Sequence, residues 1–489
     1  MIATSPGLPP DVLEALKNAV GTRNFLASPA ELRTYECDGL TAFRVTPAAV
    51  VLPTSTEQVA SVLRITGQRG IPVVARGAGT GLSGGALPVP GCVVIGLARM
   101  ARILEIDLEN ERMRVQPGVI NLDISTALAP HGYYYAPDPS SQLVCTIGGN
   151  VAENSGGAHC LKYGFTTHHV VAATAVLSNG EIVRMGSSAA DPIGYDLMSA
   201  LVGSEGMLAV VTEVVVRILR KPEATRTFFA TFPSTDEAGE AVSRIIGAGI
   251  VPAAVEMMDR LAIEAIVAST HVDWPDVGAA LLMDVDGPLA EVEHTADAAT
   301  RIASEAGAYE VRRPRDEAER ALMWKGRKGA FAAMGRISPN YYVQDGVIPR
   351  SEIARVLREI SALAAAAGLR VANVFHAGDG NLHPLVLYDG NVAGEAQRAE
   401  HVAGQILETC IKYGGSITGE HGVGSDKAIY MGQLFNEDDL TAMNAVRCAF
   451  DPQSLLNPGK VFPTPRLCGD RPGPYAPHQT ETAGLANLG

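Results

Sequence analysis

Where the glycines sit constrains this chain more than any other feature. The 489 residues include 51 glycines, and 18 of these fall in five segments that together span only 37 residues. The segments are 77–85, 148–157, 203–206, 378–380 and 414–424. No Gly-X-Y period runs through them, which excludes a collagen-like chain. Glycine adopts φ > 0 without strain and lets backbone N–H groups come close to a ligand, so such density marks loops shaped around something. The first segment is Arg76-Gly77-Ala78-Gly79-Thr80-Gly81-Leu82-Ser83-Gly84-Gly85, and Gly79, Gly81 and Gly84 fit the G-x-G-x-x-G pattern. A dinucleotide loop of the Rossmann type must open a helix. Here Pro88 and Pro90 follow and then an apolar run from Cys92 to Leu97, so the segment is strand–loop–strand. Its amides can still cradle a pyrophosphate, with the Ser83 hydroxyl as a further donor. The second segment carries Gly148, Gly149, Asn150, Asn154, Ser155, Gly156 and Gly157, after Pro137-Asp138-Pro139-Ser140; the third is Gly203-Ser204-Glu205-Gly206. Three such loops within 150 residues predict one long anionic ligand that all three enclose.

Around these loops, hydrophobic periodicity predicts a helix at 10–20 and a second one opened by Thr54-Ser55-Thr56-Glu57, with Val59, Val62, Leu63 and Thr66 on one face. Strands are predicted at 71–75, 92–97, 171–177, 182–185 and 208–219, with Asn179-Gly180 as a type I′ hairpin turn. Composition shifts at Lys221-Pro222. Beyond it, strands at 227–232, 253–257 and 279–285 alternate with amphipathic helices at 235–248, 288–306 and 350–367, which predicts a sheet covered on one side by helices. The expected organisation is an N-terminal helical segment at 1–42, a ligand-binding domain at 43–222, a second domain at 223–465 whose last segment returns to the ligand-binding domain, and a loose tail at 466–489.

Net charge and cysteines narrow the class. With 39 Lys+Arg against 53 Asp+Glu the chain carries −14, which argues against nucleic acid as a partner. The seven cysteines (Cys37, Cys92, Cys145, Cys160, Cys410, Cys448, Cys468) include no C-x-x-C, which excludes zinc ribbons and an iron–sulfur relay. Their scatter, the lack of a secretory signal and the lack of a membrane-length apolar run predict a reducing, cytoplasmic setting. Cys145 and Cys160 read as packing residues, His168-His169 as loop structure, and Lys460 as the partner of a carboxylate.

The loops, together with Ala152-Glu153-Asn154-Ser155-Gly156-Gly157, Leu161-Lys162-Tyr163-Gly164, Gly203-Ser204-Glu205-Gly206 and Leu456-Asn457-Pro458-Gly459-Lys460, carry a family resemblance over about residues 10–465. The chain resembles the FAD-linked D-2-hydroxyacid dehydrogenases of the vanillyl-alcohol oxidase/p-cresol methylhydroxylase superfamily, and within them the FAD-linked subunits of bacterial glycolate oxidases. The resemblance implies an α+β flavoprotein of two domains: an FAD-binding α+β domain and a cap domain of antiparallel sheet covered by helices. It implies that 76–85 holds the FAD pyrophosphate and that the loops at 138–157 and 203–211 wrap the rest, with Pro53, Leu208, Val210 and Asn457 beside the flavin. Residues 76–85 contain neither His nor Cys, so FAD is expected to be non-covalent.

The remaining two glycine segments frame His376-Ala-Gly-Asp-Gly-Asn-Leu-His383 and Gly419-Glu420-His421-Gly422. Two histidines seven apart with Gly378 and Gly380 between them fit strands joined at a tight turn, not the i, i+4 spacing of a helical zinc site. Such a His/His/carboxylate set suits a divalent metal, zinc first, with manganese or iron as alternatives. The resemblance assigns His376, His383 and Glu420 as metal ligands, His421 as the catalytic base and Arg327 as the grip on a substrate carboxylate. On sequence alone, Arg327 fits a solvated helix arginine equally well, given Arg312, Arg313, Arg315 and Arg320 nearby. Phe331 and Tyr341-Tyr342-Val343 lack the extra polar groups of 2-hydroxyglutarate-oxidising members. A small monocarboxylate such as glycolate or D-lactate is therefore expected, with Tyr342 lining its site and Asn381 in support. The alternatives are a cytochrome- or quinone-linked D-lactate dehydrogenase, a D-2-hydroxyglutarate dehydrogenase, a non-catalytic flavin-binding assembly subunit, or a metal-dependent hydrolase without flavin. Expected partners are a second flavin-domain subunit and an iron–sulfur subunit that accepts electrons, with peripheral placement at the inner membrane through them.

Overall fold

In the computed structural model, which describes residues 7–187, 194–270, 272–463 and 468, the helix Thr56–Gln68 starts on its cap residue: Ser55 Oγ accepts from the Gln58 amide at 3.3 Å. Its buried face is the predicted one, Val59, Val62, Leu63 and Thr66, and it packs with Val12, Leu16 and Val20 of the helix Pro10–Val20. This helix is the crossover that lets Ala49–Val51 and Val73–Arg76 both run parallel to Val93–Gly96. The sheet order is Phe25–Leu26, Ala49–Val51, Val93–Gly96, Val73–Arg76. The return from Val73–Arg76 to Val93–Gly96 contains the first glycine loop and no helix. A second, antiparallel sheet has the order Ile103–Asp107, Arg112–Val115, Val210–Arg217, Val170–Val176, Ile182–Gly186. These elements belong to one unit, Met1–Ser155 with Phe165–Arg220 and Glu420–Gly489.

The hairpin from Val170–Val176 to Ile182–Gly186 forms, but its turn is not type I′. Gly180 is left-handed (φ 82°) while Asn179 is not, and the Gly180 amide donates to Leu177 O at 2.8 Å. An ordinary turn over Ser178-Asn179 is followed by one left-handed glycine, the three-residue alternative for a hairpin.

The other unit comprises Gly156–Gly164 and Lys221–Gly419. Its antiparallel sheet runs Glu310–Arg312, Ala224–Phe232, Ala279–Gly287, Ala254–Asp259, Arg370–His376, Asn381–Leu382, Gly346–Val347, with Pro384–Tyr388 and Asn340–Val343 branching from Arg370–His376. Helices cover both faces, not one. Ala280 and Leu282 join a core with Ala262, Ile263, Ile266 and Met323, whereas Leu281 and Met283 point the other way and are equally buried. The helices Thr235–Gly247 and Leu289–Glu305 meet the same strands. The physical reason is legible in Ala279-Ala-Leu-Leu-Met283, a continuous apolar run rather than an alternating one.

No helix among the described residues is long and apolar enough to cross a membrane. Cys448 and Cys468 form a disulfide, so the scattered cysteines do not support the reducing-compartment argument. Apart from Cys468, the expected loose tail lies outside the described residues.

Candidate active site

In the first unit the missing side chains of glycine let three segments meet. A Cβ on Gly77 would strike Thr146 Oγ1, the cap of the short helix Ile147–Glu153; one on Gly85 would strike Glu153 Oε1 at 2.5 Å. A Cβ on Gly203 would press on Asn154 at 3.3 Å, and one on Gly148 on Pro117. Among the described residues the N–H groups of residues 78–82 donate to no protein acceptor, and this stretch is half-buried. Five consecutive unpaired amides fit an anion cradle, and the open space at Gly81 leaves room for one. This loop therefore fits the FAD pyrophosphate. Arg76 props it from beneath: its Nη1 donates to Cys37 O at 2.7 Å, and its guanidinium lies where a Gly79 side chain would be.

Several expected flavin residues have structural partners. Asn150 Oδ1 accepts from Asn121 Nδ2, which also donates to Pro137 O. Asn154, itself left-handed, accepts from the Thr167 amide through Oδ1, and Ser155 O accepts from Thr166. Asp138 is buried, Ser140 is exposed, and Leu208 and Val210 are buried at the entry to Val210–Arg217. Pro53 is buried just after Ala49–Val51. Gly156 and Gly157 cluster with the other unit. Asn457 Nδ2 donates to Gly85 O and Glu205 O, fastening the returning segment to the first and third loops.

Glu205 does more than line a loop. Its carboxylate accepts from the Val423 and Gly424 amides at 2.7 and 2.8 Å, and Ser83 Oγ donates to His421 O at 2.9 Å. The segment carrying Glu420 and His421 is thus held by residues from two glycine loops. Sequence reasoning missed Glu153 and Asp38 in this neighbourhood. Burial, reinforced by the adjacent Glu205, pushes the Glu153 pKa well up; burial alone raises Asp38 to about 6 against its bonds to the Leu40 and Ala86 amides. Lys460, fully buried, donates to Leu87 O, and desolvation lowers its pKa.

In the second unit, the histidine motif is a strand pair. His376 ends Arg370–His376 and is in register with Asn381, across a turn in which Gly380 is left-handed and Asp379 accepts from the Asn381 amide. His383 follows Asn381–Leu382 directly. The two imidazole centroids lie 5.1 Å apart at 87°, and both rings are buried. Phe331 meets His383 edge-on at 5.9 Å. Tyr342 is buried on Asn340–Val343, in register with Val386. Arg327, on the helix Glu317–Lys328, is 4% exposed, which removes the solvated-arginine reading. It pairs with Glu256, whose other oxygen lies 2.6 Å from His376 Nδ1. Asp345, fully buried, faces His383 Nδ1 at 3.8 Å and accepts from Thr418 Oγ1 and the Gly419 amide. Glu256 and Asp345 belong to no motif. The one sequence sign was a carboxylate within the apolar strand Ala254-Val-Glu-Met-Met.

Arg327 Nε and both amide atoms of Asn381 are buried here without a hydrogen-bond partner among the described residues. Leaving such a group unsatisfied costs about 1–3 kcal/mol, which marks a place that a polar ligand completes. Two buried histidines, each with a carboxylate beside Nδ1, also suit a divalent metal at Nε2.

An FAD binding domain matches residues 47–186 and the C-terminal domain of FAD linked oxidases matches 221–461. Glycolate oxidase subunit GlcD of Escherichia coli K12 is 51% identical over 94% of this chain and 92% of its own length. GlcD of Bacillus subtilis 168 is 40% identical over 92% and 97%, and a D-lactate dehydrogenase of Anaerostipes hadrus 33% over 85% and 89%. Among solved structures, p-cresol methylhydroxylase superposes with a TM-score of 0.80 at 18% identity, covering 94% of this chain and 98% of that one. The chain belongs to the FAD-linked D-2-hydroxyacid dehydrogenase family, on the fold of the p-cresol methylhydroxylase/vanillyl-alcohol oxidase superfamily. It is an FAD-linked oxidoreductase.

Proposed function

We propose that the chain oxidises a small 2-hydroxy acid, glycolate or D-lactate, to the 2-oxo acid. The observation that carries this reading is the pair of unpartnered buried groups, Arg327 Nε and the Asn381 amide, beside two buried histidines. A small monocarboxylate with an adjacent hydroxyl supplies the missing acceptors. Relatives named as glycolate oxidase subunits and D-lactate dehydrogenases support that substrate class. FAD, held non-covalently, would accept the Cα hydride, and a divalent metal, zinc or else manganese or iron, would lower the pKa of the substrate hydroxyl.

The chain's own residues do the rest. His376 and His383 offer nitrogen ligands, and Glu420, one residue beyond the Asp345-anchored Gly419, offers the carboxylate. Arg327 holds the substrate carboxylate with a planar fork already set by Glu256. His421 removes the hydroxyl proton, its backbone fixed by Ser83. Tyr342 and Phe331 give the site an apolar wall suited to a substrate without a second carboxylate. Electrons then leave to a partner subunit carrying iron–sulfur clusters, in an assembly peripheral to the inner membrane.

The test is anaerobic flavin reduction with glycolate, D-lactate, L-lactate and D-2-hydroxyglutarate, with metal analysis of the same sample. His421→Ala should keep its flavin and metal and lose flavin reduction by at least about 100-fold. Wild-type reduction in that variant, or reduction by L-lactate alone, overturns the assignment. Acid precipitation should release the yellow colour into the supernatant.

A further inference from the structure

The two histidines of the second unit share an arrangement that no motif announces. Each Nδ1 faces a carboxylate with essentially no solvent exposure: Glu256 at 2.6 Å from His376, and Asp345 at 3.8 Å from His383. Each carboxylate uses its second oxygen elsewhere. That of Glu256 pairs with Arg327, and that of Asp345 accepts from Thr418 Oγ1 at 2.6 Å and the Gly419 amide at 3.0 Å. Glu256 is the more telling of the two. A buried Glu–Arg pair satisfies both charges without a third member. The third member here is an imidazole in hydrogen-bond contact, donated by a different strand: Ala254–Asp259 and Arg370–His376 are paired with Glu256 opposite His376. That register puts one carboxylate between a histidine and an arginine that lies on a helix.

We propose that Glu256 is a positioning residue that acts through two others. It holds the proton of His376 on Nδ1, so that Nε2 presents its lone pair to a divalent metal, and it fixes the direction of the Arg327 fork. Asp345 plays the narrower part: 3.8 Å from His383 Nδ1, it lies beyond hydrogen-bond distance, and through the Gly419 amide it holds the backbone leading to Glu420. The physical basis is that imidazole has two tautomers and only one leaves Nε2 free as a ligand; a carboxylate at Nδ1 selects it and raises ligand basicity. Arg327 would otherwise lose rotamer freedom at the moment of substrate binding; held by Glu256 it has lost it already. The inference rests on the proposed reading of His376 and His383 as metal ligands.

The experiment measures zinc affinity by competition with a chromogenic chelator, on the FAD-loaded full chain, for the wild type, Glu256→Gln and Asp345→Asn. Both variants should bind zinc about 10- to 100-fold more weakly. At saturating zinc, Glu256→Gln should still show a raised KM for glycolate or D-lactate, whereas Asp345→Asn should return to the wild-type KM. Zinc affinity in Glu256→Gln equal to that of the wild type overturns the proposal while leaving the metal reading intact. A wild type that takes up no zinc, manganese or iron overturns the metal reading and this inference with it. Should Glu256→Gln fail to fold, the wild type alone decides. Selective ¹⁵N-histidine labelling of the metal-free chain should show His376, assigned by His376→Gln, in the Nδ1–H form. An Nε2–H form overturns the proposal.

Discussion

Asp259 shows what burial does to a carboxyl in this chain. It accepts from the Asn373 amide, the Asn373 side chain and the Ala262 amide at 2.7–2.9 Å, yet burial still pushes its pKa up to about 6. A carboxyl with a raised folded pKa holds its proton more tightly in the folded chain. Its contribution to stability is therefore present below the unfolded value near 4 and lost as pH rises through about 6. The shift corresponds to up to about 3 kcal/mol. Asp259→Asn should consequently be better tolerated at pH 7.5 than at pH 4.5, read from denaturation midpoints of both proteins at both pH values. An equal penalty at the two would mean that Asp259 titrates normally. The same scale separates what one-dimensional reading reaches from what it does not. His376 and His383 are seven apart and framed by glycines, so they stand out in the sequence. Glu256 is 120 residues from His376, and only strand pairing brings the two side chains together.

Elements follow their local sequence where the physics is local. Ser55 begins its helix, and Gly180 supplies the left-handed residue of its hairpin. Expectation and structure part where the choice depends on neighbours. Asn179-Gly180 is compatible with more than one hairpin turn, and the chain adopts the one with a single left-handed residue. For the strand 279–285 the sequence pattern predicts cover on one side of the sheet, whereas helices lie on both. Because both are covered, Leu281→Ala and Leu282→Ala should each destabilise the chain by about 2–5 kcal/mol in chemical denaturation. A near-neutral effect at either position would mean that one face is open.

At the scale of the whole molecule, the returning C-terminal segment is closed off by the disulfide between Cys448 and Cys468. The loop that it closes contains Asn457 and Lys460, which bind Gly85, Glu205 and Leu87 within the first unit. Cross-linking a loop of this length restricts the unfolded chain by about 3 kcal/mol. Cys448→Ser should lower stability by roughly that amount, and thiol titration of the denatured wild type should find five thiols without reductant and seven with it. A count of seven in both cases would remove the disulfide from the account. By itself, the sequence determined where the glycine loops lie and which histidines two of them frame, because glycine density and histidine spacing are properties of neighbours along the chain. Only the tertiary structure decided that Arg327 is buried, that Glu256 and Asp345 stand behind the histidines, that Glu205 grips the segment after His421, and that two of the seven cysteines pair. Each of these is a contact between residues far apart in sequence. Such contacts depend on strand register and burial, and no local pattern encodes them.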